Sequence, residues 1–341
     1  MIFRAIARRR NWLILALTVA FSLITLRADS STSLLGGGSS FAESLYSTYA
    51  PAFAEDTTDE FRYLAVGDAP AYRQMQARVF SFTSTDARPG PGILEILQTD
   101  QAGLQMVPTG IGGLAVICNL RGAANEIAIS RDVLAGIFTG NINNWQQVNP
   151  RLPDLDIRLI LRDDFSGANY VLSQYLNAIT EGEVEVRPGP RWWQDLNVQP
   201  YLSRSLDAGA TAAVASTEGA IGYVEVGYAL AKNLETAKIE NSQGQFISPS
   251  LDSIAQSAAL AKYDENFFAE GLVDPAEGYP LVALNWLAMY KDQPDEATAA
   301  GLKSMVTWVL TEGQKLNESV GFIPVPADVA QQAIAAVNRN L

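Results

Sequence analysis

Short apolar runs alternate with helix-spaced apolar positions along most of the chain, and this alternation predicts an α/β fold. "SLLGGGSS" reads as a short apolar start and a glycine turn. Phe41, Leu45, Tyr49 and Phe53 follow at helical spacing, with Tyr46 on the same flank. "FRYLAVGDAPAYRQM" predicts a strand, a tight turn and a helix in which Asp68 serves as N-cap and Pro70 fits the first turn. "VFSFTSTD" alternates like a strand and ends on Asp86. "MVPTGIGGLAVICNL" predicts a strand carrying a Gly112-Gly113 pair, and "ISRDVLAGIFTGNINNWQQVNP" a helix with a turn-rich loop after it. "DIRLILRDD" predicts a strand, and Val171, Leu172, Tyr175, Leu176 and Ile179 form the apolar face of the next helix. "GAIGYVEVGYALAKN" reads as strand plus helix, and "YPLVALNWLAMY" as a further strand. Two amphipathic helices close the chain. One carries Leu302, Met305, Val306, Val309 and Leu310, and the other starts at Pro326-Ala327-Asp328. No internal repeat or long low-complexity tract interrupts the pattern.

The first 30 residues stand apart. Arg4, Arg8, Arg9 and Arg10 precede "WLILALTVAFSLITL", Trp12 to Leu26. That run is shorter than the ~20 residues a membrane span needs, and suits the core of a signal peptide. Ala28 and Ser30 supply small residues for cleavage after Ser30, while the nearby Arg27 keeps an uncleaved signal anchor as the alternative. Either way the chain is expected outside the cytoplasm, exported to the periplasm or an equivalent space. Loss of residues 1–30 removes five Arg and one Asp, taking the net charge from −13 to −17.

Composition then narrows the chemistry. At 341 residues two domains are the natural expectation. The acidic balance gives no basic face for nucleic acid. The chain has no histidine, which removes the commonest general base and the commonest metal ligand. Its single cysteine, Cys118, lies in an apolar run and is expected to be a small buried hydrophobe. Neither a metal site nor a cofactor is expected.

Three strand-turn-helix junctions carry the candidate chemistry. The first is Gly36-Gly37-Gly38-Ser39-Ser40-Phe41, where glycine lets backbone approach a ligand and serines offer donors at a helix start. A flexible spacer is the plain alternative. The second is Thr85-Asp86 at a strand end, the place where ligands gather in α/β folds, although an aspartate there also makes an ordinary turn. The third is "RDDFSGANYVL", Arg162 to Leu172. Ser166 and Gly167 open a helix whose N-terminus carries partial positive charge, and Asp164 can orient the planar fork of Arg162. A capped helix beside a surface salt bridge is the plain alternative.

The same segments resemble the periplasmic phosphate-binding proteins of ABC phosphate importers (PstS type). The resemblance runs from about Leu35 to the end of the chain. "GGGSSFAESLY" is similar to the family's opening, "VPTGIGGLAVICN" to its crossover strand, "VLAGIFTGNINNW" to its leucine-isoleucine-glycine-tryptophan pattern, "GAIGYVEVGYALAKNL" to its most recognisable string, and "YPLVALNWLAMYKD" to its return strand.

The resemblance implies a type II-like periplasmic-binding-protein fold, two α/β lobes joined by crossover strands with the ligand cleft between them. The expected division is residues 31–109 and 281–341 in the first lobe and 110–280 in the second. It implies a phosphate site at Ser40, Phe41, Asp68, Asp86, Arg162, Ser166, Gly167 and Ala168, supported by Asp164. The acid at position 86 accepts a hydrogen from protonated phosphate, which rejects an anion with nothing to donate. Two positions leave the family pattern, because Asp68 and Ala168 stand where hydroxyl donors are usual. The implied role is a monomeric carrier of inorganic phosphate or a related oxyanion that delivers it to membrane ABC permease subunits. A sensor or binder of a different oxyanion is the alternative within the fold. A phosphoesterase or a surface-adhesive protein are the alternatives outside it, and the missing histidine argues against the enzyme.

Overall fold

β1 (Ser33–Gly38), β2 (Glu60–Ala65) and β3 (Phe82–Thr85) run parallel at one end of a curled sheet. The structure is a computed structural model and describes residues 31–120, 127–196 and 198–341. The predicted export segment, residues 1–30, lies outside the described residues. β4 (Leu104–Cys118) is a 15-residue strand buried along its whole length. After β5 (Ala128–Ile129), β6 (Arg158–Arg162), β7 (Leu202–Arg204) and β8 (Ala220–Glu225) build the other end of the sheet. β9 (Lys238–Glu240) and β10 (Phe246–Ile247) join β5 in a small three-stranded sheet, and β11 (Lys262–Tyr263) pairs with β12 (Ala269–Glu270). β13 (Val282–Tyr290) returns into the main sheet, whose order is β2-β1-β3-β13-β4-β8-β6-β7.

β4 links the two ends of the main sheet. It pairs with β13 from Leu104 to Gly113 and with β8 from Leu114 to Cys118. The exchange of partners falls at the Gly112-Gly113 pair. A Cβ on Gly112 would lie 2.7 Å from the Phe322 ring and 2.9 Å from the Phe41 ring, so only glycine fits there. Helices cover both faces of the sheet, which is why its central strands read as continuous apolar runs. β4 and β13 are such runs, whereas β3 is buried at all four positions although its sequence alternates.

The helix Glu43–Asp56 buries Leu45, Tyr46, Tyr49 and Phe53, as their spacing predicts, and starts two residues after Phe41. The helix Gly167–Ile179 buries Val171, Leu172, Tyr175 and Leu176, with Ile179 half-buried. The helices Glu296–Val309 and Ala327–Asn340 close the chain. Cys118 is buried, and burial pushes its thiol pKa up, as suits an inert core residue. No helix among the described residues is long and apolar enough to cross a membrane.

Two sequence expectations are corrected. Gly36, Gly37 and Gly38 are not a turn or a spacer. They are half of β1, and they are glycines because neighbouring atoms fill the Cβ positions: the Phe82 ring at 2.4 Å, the Leu64 carbonyl oxygen at 2.3 Å and the Ser84 carbonyl oxygen at 2.0 Å. Asp68 is not an N-cap. The cap position is Gly67, at φ +81°, and Asp68 is the first residue of the helix Asp68–Gln76 with no side-chain bond to its N–H groups. Its carboxylate turns instead toward Thr85, which donates to Oδ2 at 3.0 Å.

Candidate functional site

The candidate residues lie just beyond the C-terminal ends of parallel strands. Ser39 and Ser40 follow β1, Asp68 follows β2, Asp86 follows β3, and Arg162 ends β6. This is where open α/β sheets collect ligands, because strand ends and helix starts meet there.

Arg162 is fully buried. Its Nε and Nη2 grip Asp164 in a two-pronged ion pair at 2.7 and 2.6 Å. Nη1 donates to Asp207 at 3.0 Å, and Nη2 also donates to Ser40 Oγ at 3.0 Å. A guanidinium has five N–H donors, so one Nη1 hydrogen is left for a ligand. The contact with Ser40 spans 122 residues and ties the two ends of the sheet together. Burial opposes the charge on Arg162, but Asp207 and Asp164 outweigh it and hold the guanidinium protonated.

The arginine is aimed by a rigid surround. Trp193 Nε1 donates to the Arg162 carbonyl oxygen at 3.1 Å, and the Arg162 N–H donates to the Tyr223 hydroxyl at 3.1 Å. Tyr223 in turn donates to Asn169 Oδ1 at 2.6 Å, where Trp192 also donates. The Asn169 amide closes the ring by donating to the Asp164 carbonyl oxygen at 2.7 Å. Ser166 caps the helix Gly167–Ile179, its Oγ accepting from the Asn169 N–H at 3.3 Å.

Asp86 faces this group from β3. Its Oδ1 accepts from Asn285 at 2.6 Å, while Oδ2 has no partner among the described residues. Gly167 packs directly on it, since a Cβ there would lie 2.1 Å from Asp86 Oδ2. Asn285 is placed by an irregularity in the β4–β13 pairing, where Trp286 aligns with Pro108 and Asn285 with Gly110, leaving Thr109 as the extra residue of a bulge. The Thr109 and Tyr46 hydroxyls both donate to Asn285 Oδ1, each at 2.8 Å, which fixes its amide group toward Asp86.

The electrostatics are dominated by carboxylates. Asp68, Asp86, Asp207 and Glu225 are all buried, and of these Asp207 pairs with Arg162. Burial pushes Asp86 up to about 7, with the Ser39 hydroxyl and the Asn285 amide restraining the rise. Burial, reinforced by the Asp86 charge, drives Asp68 well above the usual carboxylate range. Burial raises Asp207 too, against the pull of Arg162. Glu225 has a partner for each oxygen, capping the helix Val226–Ala231 through the N–H groups of Gly227 and Tyr228.

The structure thus brings Ser40, Asp68, Asp86, Arg162, Asp164, Ser166 and Gly167 to one place. Phe41 and Ala168 adjoin it, but their side chains belong to the core, so any ligand contact from them is through backbone. Phe41 packs edge-on against Phe322, and its N–H donates to Ser39 Oγ at 3.1 Å. Sequence reasoning missed Asp207 and Asn285. Asp207 sits alone in the Ala-rich helix Leu206–Ser216, and Asn285 in an apolar strand, so each is an isolated polar residue whose role comes from tertiary contact. Two cavities open beside the acids. One of 330 Å³ is lined by Asp86, Arg88, Tyr170 and Trp286, and one of 460 Å³ by Asp68, Tyr72, Phe165 and Pro188. Among the described residues no group of three or more His, Cys, Asp or Glu could hold a metal ion.

The arrangement offers donors and one cation on one side and bare acceptors on the other. It can bind a small oxyanion that carries a proton. Comparison with known proteins agrees in fold. The PBP superfamily domain matches residues 25–312. The phosphate-binding protein PstS of Xylella fastidiosa is 28% identical over 314 residues, covering 89% of this chain and 84% of that protein. PstS of Methanocaldococcus jannaschii is 29% identical, covering 89% of this chain and 77% of that one. The crystal structure of a phosphate-binding protein from Stenotrophomonas maltophilia superposes with a TM-score of 0.72 at 17% identity, covering 89% of this chain and 94% of the other.

Proposed function

The chain belongs to the PBP superfamily, and from that premise we propose that it captures inorganic phosphate between its lobes and delivers it to an ABC importer. One observation carries the reading. Arg162, locked by Asp164 and Asp207, keeps one donor beside the helix start at Ser166-Gly167, near Asp86 Oδ2, an acceptor with no partner among the described residues. Cation and helix N-terminus attract the anion. Asp86 then demands a hydrogen that phosphate near neutrality brings and sulfate does not.

The roles of Ser40, Phe41, Asp68, Asp86, Arg162, Ser166, Gly167 and Ala168 as the phosphate pocket are part of this proposal, as is a first lobe of residues 31–109 and 281–341 around a second of 110–280. The exchange of β4 partners after Gly113 supports the first boundary. Residues 1–30 would direct export, and the working form would be a monomer that docks on membrane permease subunits. The protein acts by binding and release, without bond cleavage.

Calorimetric titration of ligand-stripped protein tests this. Phosphate should bind one to one, and sulfate at least about a hundredfold more weakly, since an unmatched buried acceptor costs on the order of 3 kcal/mol. Equal affinities for the two anions, or no phosphate binding, would refute the reading.

A further inference from the structure

Asp68 and Asp86 form a pair of buried acids with the same defect. Asp68 is 3% exposed, and its Oδ1 has no hydrogen-bond partner among the described residues. Asp86 is 1% exposed, and its Oδ2 has none either. The two are joined through Thr85, the residue before Asp86, whose hydroxyl donates to Asp68 Oδ2. Neither acid has a salt-bridge partner among the described residues.

The charged and titratable groups that face Asp68 are Asp86 after β3, Asp164 after β6, Tyr63 on β2 and Tyr72 on its own helix. Arg88, Tyr170, Glu185 and Arg187 line the neighbouring cavity, where the Arg88 guanidinium stacks 4.5 Å over the Phe268 ring and lies 4.0 Å from Asp264, and Arg187 pairs with Glu185. Two like charges so placed cannot both stay ionised and bare in a closed site. Each free oxygen needs a hydrogen.

We propose that Asp68 is a second selecting acid, so that the closed cleft holds phosphate with two shared protons, one toward Asp86 and one toward Asp68. This rests on the reading that phosphate is the ligand. A carboxylate oxygen and a phosphate oxygen meet only with a hydrogen between them. The hydrogen phosphate dianion brings one, enough for Asp86. The second comes either from the dihydrogen monoanion or from Asp68 as a neutral acid. Rising pH removes both sources. Burial and the Asp86 charge favour the neutral form of Asp68, and its bare Oδ1 beside a phosphate oxygen calls for a hydrogen between them, so the proposed complex keeps a proton that the separated partners have lost. By linkage, affinity then falls with rising pH, with a slope approaching tenfold per pH unit for one proton taken up.

The test is calorimetry of phosphate binding from about pH 5.5 to pH 8.5 on wild type, Asp68→Ser and Asp68→Asn. Two buffers of different ionisation enthalpy give the proton uptake, and thermal melts confirm folding of the variants. Wild type should lose at least about tenfold in affinity across the alkaline half of the range and take up close to one proton near pH 8. Both variants should bind more tightly than wild type near pH 8, with uptake near zero. Parallel pH curves for wild type and variants, or variants weaker near pH 8, overturn the role of Asp68 and leave the phosphate reading standing. No phosphate binding by wild type at any pH overturns the ligand reading, and this inference with it.

Discussion

Arg162 carries a charge at zero exposure because Asp164 and Asp207 neutralise it, and this decides what its replacement does. Arg162→Ala leaves Asp207 and Asp164 without their cation, and breaking such a buried pair costs about 3–5 kcal/mol. Loss of binding in that variant is therefore mixed with loss of stability. Arg162→Lys is the cleaner probe. It keeps one charge but offers three donors from a point rather than five from a fork. Phosphate affinity should drop at least about tenfold, with a melt closer to wild type than that of Arg162→Ala. Wild-type affinity in the lysine variant would place the anion elsewhere. The Arg162–Asp164 pair was legible in the sequence because the two residues are two positions apart where β6 ends. Asp207, 45 residues on, was not, since nothing local marks it as the partner of Nη1.

The three strand-turn-helix junctions were legible as elements because each joins a run of apolar residues to a helical pattern through small or polar residues. Their detailed geometry was not. "GGG" looked like a turn, yet it is strand, because glycine also serves where neighbouring strands and rings leave no room for a side chain. Asp68 looked like a cap, yet Gly67 at positive φ takes the cap position and frees the carboxylate to face the cleft. Gly167 shows the same logic at the third junction. Its hydrogen lets the helix start close onto Asp86, where a methyl group would lie 2.1 Å from Oδ2. Gly167→Ala should therefore hinder closure while leaving each lobe folded. Phosphate binding should weaken at least about fivefold, since relieving such an overlap costs about 1–3 kcal/mol, while the ligand-free melting temperature changes little. An unchanged isotherm would show that this contact is not part of the bound form.

At the scale of the whole molecule, the alternation of apolar runs and helical patterns was enough for an α/β fold, while the two-lobe arrangement was legible only through the resemblance of whole ordered segments to a known family. β4 changes partners from β13 to β8 immediately after Gly113, while β13 lies between β3 and the first part of β4. What the sequence concealed is how the ends of the sheet meet: Arg162 with Ser40, and Gly167 with Asp86. These contacts tie the two ends of the sheet together across the candidate site. The excess of buried acid around the arginine gives a reason for it to open in the absence of a protonated anion. Small-angle scattering on ligand-stripped protein, with phosphate and with sulfate at equal concentration near pH 6, tests the central claim most directly. The account predicts a smaller radius of gyration with phosphate and no change with sulfate. The same radius in all three samples, or an equal contraction with sulfate, would contradict it.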